Sequence, residues 1–74
     1  SADAALTRDQ VQRLLGGLTQ REKEVMERVV AGRHNREIAA ELAISPRTVE
    51  VHKARMMDKL GVGSVAELVR LSLG

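Results

Sequence analysis

Cysteine is absent from this chain of 74 residues, as are Phe, Tyr and Trp, and proline occurs once. Without cysteine there can be no disulfide and no thiolate-held metal, and two isolated histidines, His34 and His52, do not make a metal cluster. Without aromatic rings the chain lacks the platforms on which readers of single strands stack bases. Duplex readers need none. No apolar run approaches the roughly 20 residues of a membrane span. The opening SADAALTRDQ also lacks the basic-then-apolar layout of a signal peptide, so a cytoplasmic protein without a membrane partner is expected. A nucleophile beside a base, a carboxylate pair set for acid–base work and a glycine loop for phosphate are all missing. Neither enzyme activity nor a cofactor is expected.

The size leaves room for one small domain, near the limit at which a core sustains itself without staples. Twelve basic against ten acidic side chains give a formal charge of only +2, but the excess is localised. Residues 1–31 are balanced: Arg8, Arg13, Arg21, Lys23 and Arg28 stand against Asp3, Asp9, Glu22, Glu24 and Glu27. Residues 32–60 set Arg33, Arg36, Arg47, Lys53, Arg55 and Lys59 against Glu37, Glu41, Glu50 and Asp58, with both histidines nearby. A phosphate-binding surface requires that kind of concentration.

Punctuation divides the chain into helices. A short one is expected from about Arg8 to Leu15, opened by Thr7 with Gln10 and closed by Gly16-Gly17. Thr19 and Glu22 form the capping box of the next, which presents Val25, Met26, Val29 and Val30 and ends at Gly32. A third begins after Asn35 and ends near Ala43, presenting Ile38, Ala39 and Leu42. The fourth opens with Ser45 as cap and Pro46 in the first helical position, where the missing N–H is no loss, and stops at Gly61. A fifth, capped by Ser64 with Glu67, runs through Leu73. No strand pattern survives, so the fold expected is all-α: a small four-helix domain over residues 18–74 containing a helix-turn-helix, preceded by an interdomain linker, 1–17, with a short helix.

The third and fourth helices are too close in sequence for a relaxed antiparallel hairpin and must cross steeply, which makes them the helix-turn-helix. Ala39 supplies the small side chain at the crossing, and Val49 is its apolar counterpart. The turn wants a residue tolerant of positive φ, usually glycine, where this chain has Ala43. At about 100° per residue, Val49, Met56 and Leu60 share one narrow arc of the fourth helix, with His52 and the Lys53 stem at its margins. Opposite lie Arg47, Glu50, Val51, Ala54, Arg55 and Asp58. Short apolar groups mixed with hydrogen-bonding charges suit a docking face better than an idle one.

Residues 18–73 resemble the LuxR-type DNA-binding domain, the effector domain of FixJ/NarL-like bacterial response regulators. The likeness is carried by LTQREKEV at 18–25, AGRHNREIAAELAIS at 31–45 and TVEVHKARMMDKL at 48–60, with SPRTVEVH closest to the FixJ-like branch. What it implies is sequence-specific binding of double-stranded DNA in control of transcription, with the recognition helix, 46–60, in the major groove. Family positions for base contact fall on Glu50, Val51 and Ala54. Glutamate can accept from the cytosine amine, and the apolar pair can touch thymine methyls. Many relatives carry lysine at the Glu50 position, so their target sequences do not transfer. Arg47, Thr48, Lys53, Arg55, Lys59, Asn35 and Arg36 are the implied backbone contacts.

The last helix is apolar over much of its circumference, through Val65, Leu68, Val69, Leu71 and Leu73, more than so small a domain can bury. The resemblance makes it the dimer helix, with Val65, Leu68, Val69 and Ser72 at a weak or DNA-dependent interface and an inverted repeat as the target. It also implies an N-terminal receiver domain, absent from this chain, and RNA polymerase as a further partner. Several alternatives stay open on the residues themselves. Glu50 can pair with Arg47 or Arg55 along the helix, His52 suits packing or a backbone hydrogen bond, and the fifth helix can dock another domain instead of a twin. At the level of function, the alternatives are a sigma factor's promoter-reading region and a helical protein-docking module.

Overall fold

The computed structural model describes residues 6–73, and those form five helices with no strand among them. Residues 1–5 of the expected linker and Gly74 lie outside the described residues. The helices are α1 (Arg8–Gly16), α2 (Gln20–Val30), α3 (Asn35–Leu42), α4 (Pro46–Leu60) and α5 (Val65–Leu73). The core gathers one stripe from each of the last four: Val25 and Val29 of α2, Ile38 and Ala39 of α3, Val49, Met56 and Leu60 of α4, and Leu68 of α5. Leu18 closes it from below, and α4 lies at its centre, packed mainly against α2 and α3.

The helix starts follow the side chains that can hold free amides. Thr7 accepts from the Gln10 N–H at 3.1 Å while Gln10 accepts from the Thr7 N–H at 2.8 Å, and Thr19 with Glu22 repeats the pattern at 3.1 and 2.8 Å. Ser45 Oγ accepts from the Thr48 N–H at 3.0 Å ahead of Pro46, and Ser64 Oγ from the Glu67 N–H at 3.1 Å. The start of α3 differs by one residue from the sequence expectation. Glu37 reaches back to accept from the His34 N–H at 2.8 Å, so His34 occupies the cap position and Asn35 is already helical. A carboxylate three residues inside a helix can fix its start even where the capping side chain is not a good acceptor.

Three helices end alike. Arg33, Ile44 and Val62 each donate to the carbonyl five residues back, and Gly32, Ala43 and Gly61 each donate to the one three residues back, closing the ends of α2, α3 and α4. The motif needs a left-handed residue between helix and loop. Gly32 and Gly61 hold φ of 86° and 70°, and Ala43 holds φ of 57°. The turn of the helix-turn-helix is thus three residues, Ala43 to Ser45, and its alanine adopts the conformation that the other two ends give to glycine.

Helix α1 does not hang free. Val11 is only 6% exposed, Leu14 and Leu15 pack against the core, and the helix lies on α4. A groove of about 260 Å³ between α1 and the junction of α4 with α5 is lined by the apolar Leu6, Val11, Leu60, Val62 and Leu71 together with Glu67 and Arg70. The segment expected as linker therefore carries part of the apolar packing of the fold.

Candidate nucleic-acid interface

Helix α4 positions the candidate surface. Val49, Met56 and Leu60 are buried on one side, and Arg47, Glu50, Val51, Ala54, Arg55 and Asp58 are all exposed on the other. Thr48, His52 and Lys53 flank the buried stripe and are half-buried. Val51, at 37% exposure, is one of the few large apolar side chains the domain presents to solvent. An apolar group held at the middle of an exposed helix face, ringed by arginines, suits a partner that offers methyl groups and phosphates together.

Ion pairs divide the cations into two groups. Arg21 bridges to Glu24 at 3.1 Å, Arg28 and Arg33 share Glu41 at 2.9 and 3.3 Å, and Lys59 bridges to Glu22 at 2.7 Å. Arg36, Arg47, Lys53 and Arg55 join no ion pair among the described residues, nor does Glu50. The helical pair between Glu50 and Arg47 or Arg55 is absent, so all three side chains keep their hydrogen-bonding capacity outward. Those four cations sit on α4 and at the start of α3, beside Asn35; Arg8, Arg13, Lys23 and Arg70, on the other helices, likewise join no ion pair among the described residues. Of the paired ones, Arg28 and Lys59 join α2 to α3 and to α4, Arg33 ties the loop after α2 to α3, and Arg21 pairs within α2.

Lys59, expected among the backbone contacts, donates its ammonium to Glu22 while its side chain stays 41% exposed. Leu68, expected among the dimer contacts, has no exposed surface, so it has nothing to offer a partner. Val65 (40%) and Leu73 (80%) are the exposed apolar residues of α5, with Val69 half-buried, and Ser72 turns its hydroxyl to the Val69 carbonyl at 2.8 Å. Thr48 keeps its place beside α4's first turn, where its hydroxyl and that of Ser45 share a hydrogen bond of 2.9 Å.

Sequence reasoning missed Glu22. It is the one buried charged side chain among the described residues, 3% exposed, and a single oxygen accepts both the Thr19 N–H and the Lys59 ammonium. The hydrogen bond from Lys59, then the one from Thr19, hold its carboxyl below the ordinary carboxylate range against the opposing effect of burial. The capping box was the only signal available, since nothing local links positions 37 residues apart. Glu41 was missed for the same reason.

Residues 17–72 match the family model described as bacterial regulatory proteins of the luxR family, GerE. The chain is 48% identical over 66 residues to the transcriptional regulatory protein FixJ of Azorhizobium caulinodans, covering 89% of this chain and 31% of that protein. To the transcriptional regulatory protein UhpA of Escherichia coli it is 53% identical over 53 residues, 72% of this chain and 27% of the relative. Among solved structures, the response regulator StyR superposes with a TM-score of 0.84 at 43% identity, over 88% of this chain and 33% of StyR. Full-length FixJ from B. japonicum gives 0.83 at 43% identity, over 88% of this chain and 32% of its own. The chain thus spans about a third of the length of the relatives it matches. No helix among the described residues is long and apolar enough to cross a membrane. With the α3–α4 pair joined by a three-residue turn, the capped α4 and the match along 17–72, the chain belongs to the luxR family of bacterial regulatory proteins, as a LuxR-type helix-turn-helix DNA-binding domain.

Proposed function

We propose that this domain is the output module of a two-component transcriptional regulator acting in the cytoplasm, and that it reads duplex DNA by laying α4 in the major groove. Glu50, Val51 and Ala54 face base edges. Arg47, Thr48, Lys53 and Arg55, with Asn35 and Arg36 from the start of α3, take phosphates. The observation that carries this reading is the outward face of α4, where unpaired arginines surround a short apolar strip. An α-helix fits the major groove, phosphate contacts set its register, and the strip meets thymine methyls beside a glutamate that accepts from cytosine.

Val65, Val69 and Ser72 of α5, joined by Leu73, pair two protomers about a two-fold axis, which sets two copies of α4 about one DNA turn apart on an inverted repeat. A receiver domain preceding this one in the whole regulator controls that pairing, and residues 1–17 connect the two. RNA polymerase is the partner of the DNA-bound dimer.

Fluorescence anisotropy of labelled duplex across a salt series tests the reading. If Arg36, Arg47, Lys53 and Arg55 each take a phosphate, the slope of log affinity against log salt is about −3.6 per protomer, and a fourfold rise in salt weakens binding by about 150-fold per protomer. Arg47→Ala and Arg55→Ala each flatten that slope by about 0.9. Unchanged affinity and slope in both variants at low salt would remove α4 from the interface.

A further inference from the structure

Helix α4 is fixed at its two ends by different means. Its first turn is held by Ser45 and by the three-residue turn from α3. Its last turn, about 21 Å away at 1.5 Å per residue, is held by Lys59, whose ammonium donates to Glu22 at 2.7 Å. Between them, Val49, Met56 and Leu60 bury a narrow stripe. Apolar contact is not directional and tolerates a small roll of the helix about its axis. A charge-assisted hydrogen bond to a fixed carboxylate opposes a roll, because it weakens steeply with length and angle.

The geometry makes that difference matter. With side chains reaching about 5–6 Å from the axis, a roll of about 10° displaces their tips by about 1 Å. One ångström breaks the geometry of a base-edge hydrogen bond from a short side chain such as Glu50, whereas the long arginine side chains re-extend to another phosphate oxygen. Glu22 is itself immobile: it is buried, and the oxygen that holds Lys59 also holds the Thr19 N–H at 2.8 Å, which ties it to the frame of α2. With only Glu22 buried and Lys59 half-exposed, the pair contributes little net stability, so its consequence lies in orientation.

We infer that Glu22 is a positioning residue for DNA reading: through Lys59 it sets the roll of α4 and so governs discrimination among base sequences more than affinity for DNA as such. The inference rests on the DNA-reading assignment of α4. The quantity to measure is the ratio of affinities, by anisotropy, for a duplex selected from a random library by the 74-residue chain and for a scrambled duplex of equal length. Helical circular dichroism confirms that each variant is folded at the temperature used. In Glu22→Gln the amide oxygen still accepts from Thr19, and the hydrogen bond from Lys59 loses its charge assistance. The expected result is a ratio reduced by about tenfold, the size of one lost base contact, with affinity for scrambled duplex nearly unchanged. Lys59→Gln gives the same loss of ratio from the other side of the pair, and Lys59→Arg retains the ratio. Because a lost phosphate contact weakens both duplexes equally, it cancels from the ratio. Should Glu22→Gln fail to fold, Lys59→Gln, altered at a half-exposed side chain, carries the test alone. A ratio within about twofold of the parent in a folded variant would overturn the inference and leave the DNA assignment standing. Salt-insensitive or absent binding by the parent, or selection that enriches no sequence, would overturn it together with its premise.

Discussion

Ala43→Gly is expected to stabilise the domain, and the size of the effect follows from comparing three helix ends built to one plan. The ends of α2, α3 and α4 share the same pair of backbone hydrogen bonds, and their left-handed positions hold Gly32, Ala43 and Gly61. A side chain in that region costs about 1–2 kcal/mol. Glycine removes the cost but loses about 0.4–1 kcal/mol to the greater freedom of the unfolded chain. Ala43 is exposed, so its methyl contributes little packing, and the net gain is about 0.5–1 kcal/mol. For a domain of this size that raises the melting temperature by about 2–8 °C. The opposite experiment is Gly61→Ala. A Cβ there meets nothing within 4 Å, so the cost is conformational alone, about 1 kcal/mol in the other direction. Thermal unfolding followed by circular dichroism compares the two variants with the parent. If Ala43→Gly leaves the melting temperature unchanged or lowers it while Gly61→Ala lowers it, the helix-turn-helix turn stores no strain and the reasoning fails.

Acid should act through Glu22. Its carboxyl is held below the ordinary value of 4.5, chiefly by the hydrogen bond from Lys59, so its contribution is present in full above that value and is lost as pH falls through the lower folded-state one. An acid titration of unfolding should therefore show a steeper fall below about pH 4.5 for the parent than for Glu22→Gln, and parallel curves would refute it. Val11→Ala should lower stability by about 1–2 kcal/mol, the transfer energy of a buried valine side chain less what alanine retains, measured by urea unfolding; a neutral result would return α1 to the status of a tether. Leu73→Lys should leave the melting temperature almost unaltered, since Leu73 is 80% exposed, while abolishing two-protomer complexes on an inverted repeat in a gel-shift titration. Persistence of those complexes would place the dimer contact elsewhere.

What could be read in advance was whatever acts over a few residues. The Thr7, Thr19, Ser45 and Ser64 caps form their expected hydrogen bonds, and the buried arc of α4 follows from spacing alone because a helix gives each residue a fixed direction. The left-handed Ala43 was also accessible, since a helix pair this tight leaves few turn geometries. Three features were not. Asn35 is the better capping residue by type, yet Glu37 draws the start of α3 back to His34. Val11 stands with Leu14 and Leu15 in a short helix that reads as a linker, and only the position of α4 gives it a surface to bury against. The pairing of Lys59 with Glu22 and of Glu41 with two arginines joins elements that meet only after folding. These same pairs separate the cations left for a partner from those used within the fold, so a charge count along the chain overstated the free basic surface.

The shared oxygen of Glu22 also bears on how the domain opens. The first turn of a helix and the last turn of another are ordinarily its loosest parts, each opening without the other. Here the first amide of α2's capping box and the closing turn of α4 are held by one atom, so a displacement of Glu22 loosens both together. Amide hydrogens near Thr19 and those near Lys59 should then exchange with solvent as a single cooperative unit, and the end of the recognition helix should be among the slower, not the faster, parts of the protein to do so.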